Sequence, residues 1–120
     1  DLARSVMEGV ACEVRWAIEE MRVAGVGVDE LTMVGGAARS PIWPQIVADF
    51  TGTPVVVPAM AQAAGWGAAV IAGVGIGVFA SMEEAGRQAG GARRLHPTDR
   101  ERCDAQFARY RALWPPITQL

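Results

Sequence analysis

Apolar residues recur every three to four positions at the start of the chain, at Leu2, Val6, Val10, Val14, Ala17, Ile18 and Met21. Arg4, Glu8, Glu13, Arg15, Glu19, Glu20 and Arg22 fill positions between them. An apolar stripe opposite a charged face predicts an amphipathic helix over residues 2–24. Gly25-Val26-Gly27 supplies its stop. The period then changes. Leu31 to Val34 is a short apolar run without alternation, fenced by Asp29-Glu30 and Gly35-Gly36, which predicts a fully buried strand. Helical spacing returns at Ile42, Trp43, Ile46, Val47 and Phe50. Ser40 is the expected N-cap there, Pro41 the first helical residue and Gly52 the stop. Pro54-Val55-Val56-Val57-Pro58 predicts a second buried strand. Ala61 to Gly75 is apolar all round, which predicts a helix buried on most sides.

Two capping-box patterns follow, Ser81-Met82-Glu83-Glu84 and Thr98-Asp99-Arg100-Glu101. The first opens a short helix that Gly90-Gly91 ends. The second opens the last helix, whose face is marked by Cys103, Phe107, Tyr110 and Trp114 and whose end is set by Pro115-Pro116. The predicted order is α-β-α-β-α-α-α, an α/β fold. Two buried strands, each followed by a helix, read as the start of a parallel sheet with right-handed crossovers. Two strands do not complete a sheet domain. The expectation is a piece of a longer protein with further strands upstream. The opening Asp1-Leu2-Ala3-Arg4, already helical in pattern and without an initiator Met, points the same way.

Composition narrows the chemistry. Hydrophobic residues make up 51% of the 120, enough to bury a core, which excludes intrinsic disorder. A net charge of −2 gives no basic excess for nucleic acid. All 11 basic residues are Arg, so a catalytic or P-loop lysine is excluded within the chain. His96 is the only histidine, and it reads as a loop residue. Cys12 and Cys103 lie too far apart in sequence for a zinc motif and are expected to be buried free thiols of a cytoplasmic protein. The apolar stretch Ala63 to Phe79 is short and Gly-rich for a membrane span. Arg93-Arg94 reads as a solvated face. Trp16, Trp43 and Trp114 sit at helical spacing and are expected to pack.

The candidate chemistry lies between the first strand and the second helix, in Gly35-Gly36-Ala37-Ala38-Arg39-Ser40. Glycines at the carboxyl end of a buried strand leave the backbone bare. A flat or phosphorylated ligand can then approach the first N–H groups of the next helix. The spacing is neither G-x-G-x-x-G nor a Walker A loop. On pattern alone, a tight β–α turn with close packing explains it equally well.

A longer stretch is recognisable. Val34-Gly35-Gly36-Ala37-Ala38-Arg39-Ser40-Pro41-Ile42-Trp43, then Gln45 to Asp49, then Thr51-Gly52-Thr53-Pro54-Val55, resembles the C-terminal domain of the FGGY carbohydrate kinases. A second block, Gly67-Ala68-Ala69, Ala72 to Phe79 and Ser81 to Ala85, is similar to that family's next helix and exit. Met7-Glu8-Gly9-Val10-Ala11 and the Pro97-Thr98-Asp99 region agree more weakly. The resemblance covers nearly all of residues 1–120. It implies the C-terminal part of an actin-like ATPase lobe with a ribonuclease-H-like fold, lacking the N-terminal lobe and the start of its own lobe.

The resemblance also implies an activity: transfer of the γ-phosphoryl group of ATP, with Mg2+, to a sugar or polyol hydroxyl. A xylulose-like pentulose is the expected substrate. It assigns Gly35, Gly36, Ala37 and Ser40 to the adenosine of ATP or ADP. Arg39, at the cleft edge, either stacks on adenine or solvates the rim. Asp29, Asp49, Asp99 and Asp104 do not match the family's catalytic Asp, and Asp49 is taken as structural. No catalytic residue and no metal ligand are therefore expected in this chain, and alone it should transfer no phosphate. A homodimer is among the partners the family admits; nucleic acid and membrane are not expected. Two departures stand out. Gln62 replaces a common Glu, and Gly65-Trp66 precedes Gly67 where Leu-Gly is usual. Trp66 is expected in the core. These departures leave open a non-catalytic nucleotide-binding relative. An unrelated α/β binder sharing only the glycine turn, and a sugar-responsive repressor, fit the second motif block and the charge pattern less well.

Overall fold

The computed structural model describes residues 2–60, 63–87 and 90–118. Its elements are α1 (Leu2–Val23), β1 (Leu31–Thr32), a 3-10 turn (Gly36–Arg39), α2 (Trp43–Thr51), β2 (Val55–Pro58), α3 (Ala63–Gly75), α4 (Met82–Arg87), β3 (Ala92–Leu95) and α5 (Arg100–Thr118). The sheet order is β1-β2-β3. β1 and β2 are parallel, with Leu31 beside Val55, as the strand–helix–strand pattern requires. β3 adds antiparallel to β2, pairing Val55 with Leu95 and Val57 with Arg93. The sheet is thus mixed, and β3 is a strand the sequence reading missed. Ala92, Arg93 and Arg94 are exposed, so an edge strand there carries no apolar signal.

The helix ends follow the glycines. Gly25 has φ +85°, and Val26 N–H donates to the Met21 carbonyl at 2.9 Å while Gly25 N–H donates to Arg22 at 3.0 Å. That paired pattern is a Schellman motif, which only a left-handed residue closes. The same motif ends α3 at Gly77, with Val78 N–H donating to Gly73 at 2.8 Å. Gly52, at φ +64°, ends α2 as expected.

α2 is the centre of the molecule. Ile46 and Phe50 face Ala11 and Cys12 of α1 and Cys103 and Phe107 of α5. Val47 and Ala48 face Ala38, Val55 and Val57, with Leu31, Met33 and Leu95 alongside. Burying an α2 side chain of this size is worth about 1.5–3 kcal/mol. Both cysteines are buried and free. Trp43 packs against both clusters, and Trp16 meets Trp114 edge-on at 5.8 Å between centroids.

Several expectations are corrected. β1 is half-buried at Leu31 and exposed at Thr32. It is an edge strand, and among the described residues no strand lies on its outer side. β2 alternates instead of being uniformly buried, with Val55 and Val57 inward. In α3 only Val70 and Gly73 are buried, and Ile71 is 64% exposed. The helix packs chiefly on α4, with Trp66 edge-on to Phe79 at 6.4 Å, so most of its apolar surface faces outward. A Cβ at Gly73 would lie 2.7 Å from the Phe79 ring, which explains that glycine. α5 runs to Thr118, past Pro115 and Pro116. The second capping box does not form, because Asp49 engages Thr98. The Asp49 carboxylate accepts from Thr98 N–H at 2.7 Å and from its hydroxyl at 3.2 Å. Asp99 begins the helix in its place, its carbonyl accepting from Cys103 N–H at 3.4 Å. The first capping box forms, with Ser81 Oγ accepting from Glu84 N–H at 3.2 Å. Gln62 and Ala61 lie outside the described residues.

Candidate functional site

The chain leaves β1 through Met33, whose N–H donates to the Val56 carbonyl at 2.8 Å, and reaches the glycine turn. Gly35 has φ +82° and ψ −165°, a region essentially reserved for glycine. The bend it makes throws the backbone into the 3-10 turn, closed by Ser40 N–H donating to the Ala37 carbonyl at 3.1 Å. The sequence reading ran the glycines directly into α2 and had no 3-10 turn. The helix itself begins two residues later than predicted, at Trp43, with Pro44 in its first turn. The N-cap position falls to Ile42, which has no side-chain cap, so the expected Ser40 N-cap is corrected: Ser40 lies two residues earlier. Its Oγ accepts from Trp43 N–H at 3.2 Å and from Ile42 N–H at 3.4 Å.

These bonds have a chemical consequence. The Trp43 N–H, the first amide of α2, is turned to Ser40 and Pro44 after it has none, so the helix N-terminus offers a ligand less than the sequence suggested. The Ser40 hydroxyl has an acceptor lone pair committed and keeps its proton to donate. What remains bare is the turn itself. Gly36 is exposed, and a Cβ built there or at Gly35 would meet nothing within 4 Å.

The 3-10 period places residues three apart on one side. Ala37 and Ser40 line a cavity of 240 Å³ with Trp43 and with Val6, Met7 and Val10 of α1. Its walls are almost wholly apolar. Ala38 and Pro41, with Arg39 beside them, line a second cavity of 520 Å³ against Val57, Pro58 and Ala59 of the β2 end and Gly91, Ala92 and Arg93 of the β3 start. This second space lies at the carboxyl ends of the parallel strands, where open α/β sheets place their ligands. The four predicted residues therefore stay together on one turn. They divide between a bare stretch, Gly35 and Gly36, and the wall of the smaller cavity, Ala37 and Ser40. Arg39 points to the larger cavity, which the pattern alone did not show.

Other predicted roles resolve as follows. Asp49 is structural: it accepts from Gln45 Nε2 at 2.9 Å as well as from Thr98, and these bonds tie α2 to the loop before α5. Asp104 pairs with Arg15 at 2.6 Å, and Asp99 with Arg102 at 2.6 Å. His96 lies in a loop, its carbonyl accepting from Gln45 at 2.9 Å. Trp66 lines neither cavity beside the turn. Among the described residues no three histidine, cysteine or carboxylate side chains cluster as metal ligands. Burial pushes the Cys12 thiol up to about 11, so it is a packed side chain and not a nucleophile. Also among the described residues, no helix is long and apolar enough to cross a membrane.

Comparison with known proteins gives the context of this turn. A glycerol kinase of Aromatoleum aromaticum is 37% identical over 112 residues, covering 92% of this chain and 23% of that protein. An autoinducer-2 kinase of Salmonella typhimurium is 43% identical over 65 residues, 54% of this chain and 12% of the relative. Crystal structures of a xylulose kinase from Brucella ovis and one from Rhodospirillum rubrum superpose on 98% of the chain, with TM-scores of 0.74 and 0.75 and identities of 25% and 24%. The chain spans 25% of each of those two. The fold is that of these sugar kinases, an actin-like ATPase fold, of which the chain forms a part. Residues 1–76 match the profile of the FGGY family of carbohydrate kinases, C-terminal domain, and the chain belongs to that family.

Proposed function

We propose that this chain is the C-terminal portion of an ATP-dependent carbohydrate kinase and that its Gly35–Ser40 turn supports the adenosine of ATP. The observation that carries the reading is the bare Gly35-Gly36 backbone at the carboxyl end of β1, with a cavity on either side. A flat base can lie on a backbone that has no side chain to hold it off. The apolar wall of Ala37, Trp43, Val6 and Met7 suits an aromatic ring, and the Ser40 proton can meet a ring nitrogen.

ATP supplies the phosphoryl group of the reaction, and the described residues fit its base end alone. No three His, Cys, Asp or Glu side chains cluster among them. Phosphoryl transfer depends on positioning and charge stabilisation by several segments at once. In our reading those segments, and the sugar contacts, belong to the rest of the parent kinase, a cytoplasmic protein. The substrate is a sugar or polyol; the likeness to xylulose kinases supports a pentulose. A non-catalytic nucleotide binder is the alternative suggested by Gln62 and Trp66. Trp66 packs on Phe79 and lines neither cavity, so it gives that alternative no support, and Gln62 lies outside the described residues.

The test is adenosine and ATP titration of the purified chain, with Gly36→Val beside it. Saturable binding to the unsubstituted chain is expected, with a loss of at least about tenfold in affinity in the variant, since a branched side chain occupies the space of the base. Equal binding by both would overturn the assignment. In the same preparation, ATP-dependent phosphorylation of xylulose or glycerol should be undetectable.

A further inference from the structure

Of the two cavities beside the glycine turn, we propose that the larger, between Arg39 and Arg93, is a binding site for a phosphate-class oxyanion. The argument begins with how this chain uses its arginines. Arg4, Arg15, Arg94, Arg100, Arg102 and Arg111 are each ion-paired with a carboxylate. Arg22 donates to the Val28 carbonyl and to Thr53 Oγ1, both at 3.0 Å. Arg39, Arg87, Arg93 and Arg109 have no side-chain partner among the described residues, and of these four Arg39 and Arg93 border one cavity together, that of 520 Å³. Among the described residues no carboxylate lines it.

The sheet explains why the two converge. Side chains alternate along a strand, so the neighbours Arg93 and Arg94 stand on opposite faces of β3. Arg94 pairs with Glu30. Arg93 is opposite Val57 and shares the face on which Leu95 packs with the core. Because β3 runs antiparallel to β2, its start lies beside the carboxyl end of β2, and Arg93 stands at the same end of the sheet as the 3-10 turn, which carries Arg39. Ala59 N–H donates to the Gly91 carbonyl at 2.8 Å and closes the far side of the cavity with backbone.

Two guanidinium groups facing one cavity repel each other unless an anion sits between them. The planar fork of arginine matches phosphate oxygens in paired hydrogen bonds. The volume is within the range of small-molecule sites and exceeds a bare phosphate. Val57, Pro58 and Pro41 leave an apolar wall for the rest of a phosphorylated small molecule. The phosphate has two sources: a separate phosphorylated metabolite, or the phosphate chain of a nucleotide held at the turn.

The test is a titration of the whole chain with inorganic phosphate, with adenosine and with ADP, at low ionic strength. It follows the arginine Nε–H and backbone amide resonances by heteronuclear NMR. Saturable shifts of Arg39 and Arg93 with inorganic phosphate are expected. R39Q and R93Q should each weaken that binding about tenfold. R109Q, which removes an arginine of the α1–α5 groove, should leave it unchanged. Shifts with ADP but with neither phosphate nor adenosine would also uphold the site and name the nucleotide as the source. No response to phosphate or ADP, or an equal response in R39Q, R93Q and R109Q, overturns it. The spectra themselves report whether each variant is folded. Adenosine shifts at Gly35 and Gly36 concern the base alone, so the two readings fail separately.

Discussion

Gly35 and Gly36 are neighbours with different reasons to be glycine. Gly35 is held at φ +82° and ψ −165°, where a Cβ is strained whatever space surrounds it. Gly36 has an unremarkable backbone and open space. Gly35→Ala should therefore destabilise the fold by about 1–3 kcal/mol in urea unfolding. Gly36→Val should change binding far more than stability. An unchanged urea midpoint for Gly35→Ala would show that the turn does not need its strained geometry. The sequence placed both glycines in one turn after β1. It could not separate them, because a backbone angle leaves no mark on residue identity. Arg39 makes the same point. Its type and place were legible, but its cavity depended on where β3 would bring Arg93.

At the scale of elements, α5 is packed on α1 and α2 and is clamped to α1 by charge as well. Glu8 of α1 accepts from Arg4 Nε at 2.9 Å and from Arg102 Nη1 of α5 at 3.1 Å. Burial alone would raise the Glu8 carboxyl, but the bonds from Arg4 and Arg102 outweigh it and hold the group below its usual 4.5. A depressed carboxylate contributes stability above its unfolded value and loses it as pH falls through the folded one. The melting temperature should accordingly drop as the pH is lowered below about 4.5, and by less in Glu8→Gln. Parallel curves for the two proteins would remove Glu8 from the clamp. Arg15 adds to it, pairing with Asp104 and lying 4.2 Å over the Phe107 ring. Helix positions and stops were readable from period and glycine placement. These cross-helix pairs were not, since they join residues such as Glu8 and Arg102 that lie far apart in the chain.

The whole molecule is longer than a chain of this length needs to be. Its radius of gyration is 17.7 Å and its extents are 57 × 31 × 26 Å, against about 13–14 Å expected for a compact domain of this length. The helical pair α3 and α4 stands apart from the α2-centred core, since α3 packs chiefly on its neighbour. Residues 63–80 contain no charged side chain, yet Ile71, Ile76 and Val78 are 64%, 78% and 64% exposed. Ile71→Glu should shift stability by no more than about 0.5 kcal/mol by thermal melting, as expected for a surface position. A loss of several kcal/mol would place Ile71 in a core after all.

The sequence by itself determined the helix periods, the glycine stops, the parallel pairing of the first two strands and the motif that ties the chain to its family. All of these rest on local preferences or on short-range spacing, which residue identity encodes directly. Tertiary structure decided which apolar surfaces are covered. α2 is enclosed on both sides because α1, α5 and the sheet close on it, whereas the more apolar α3 is open because little of this chain packs on it. Tertiary structure also decided that a polar run, Ala92 to Leu95, becomes a strand and brings Arg93 to the cavity of Arg39. Edge pairing uses backbone groups that every residue carries, so only the neighbouring strand could choose it.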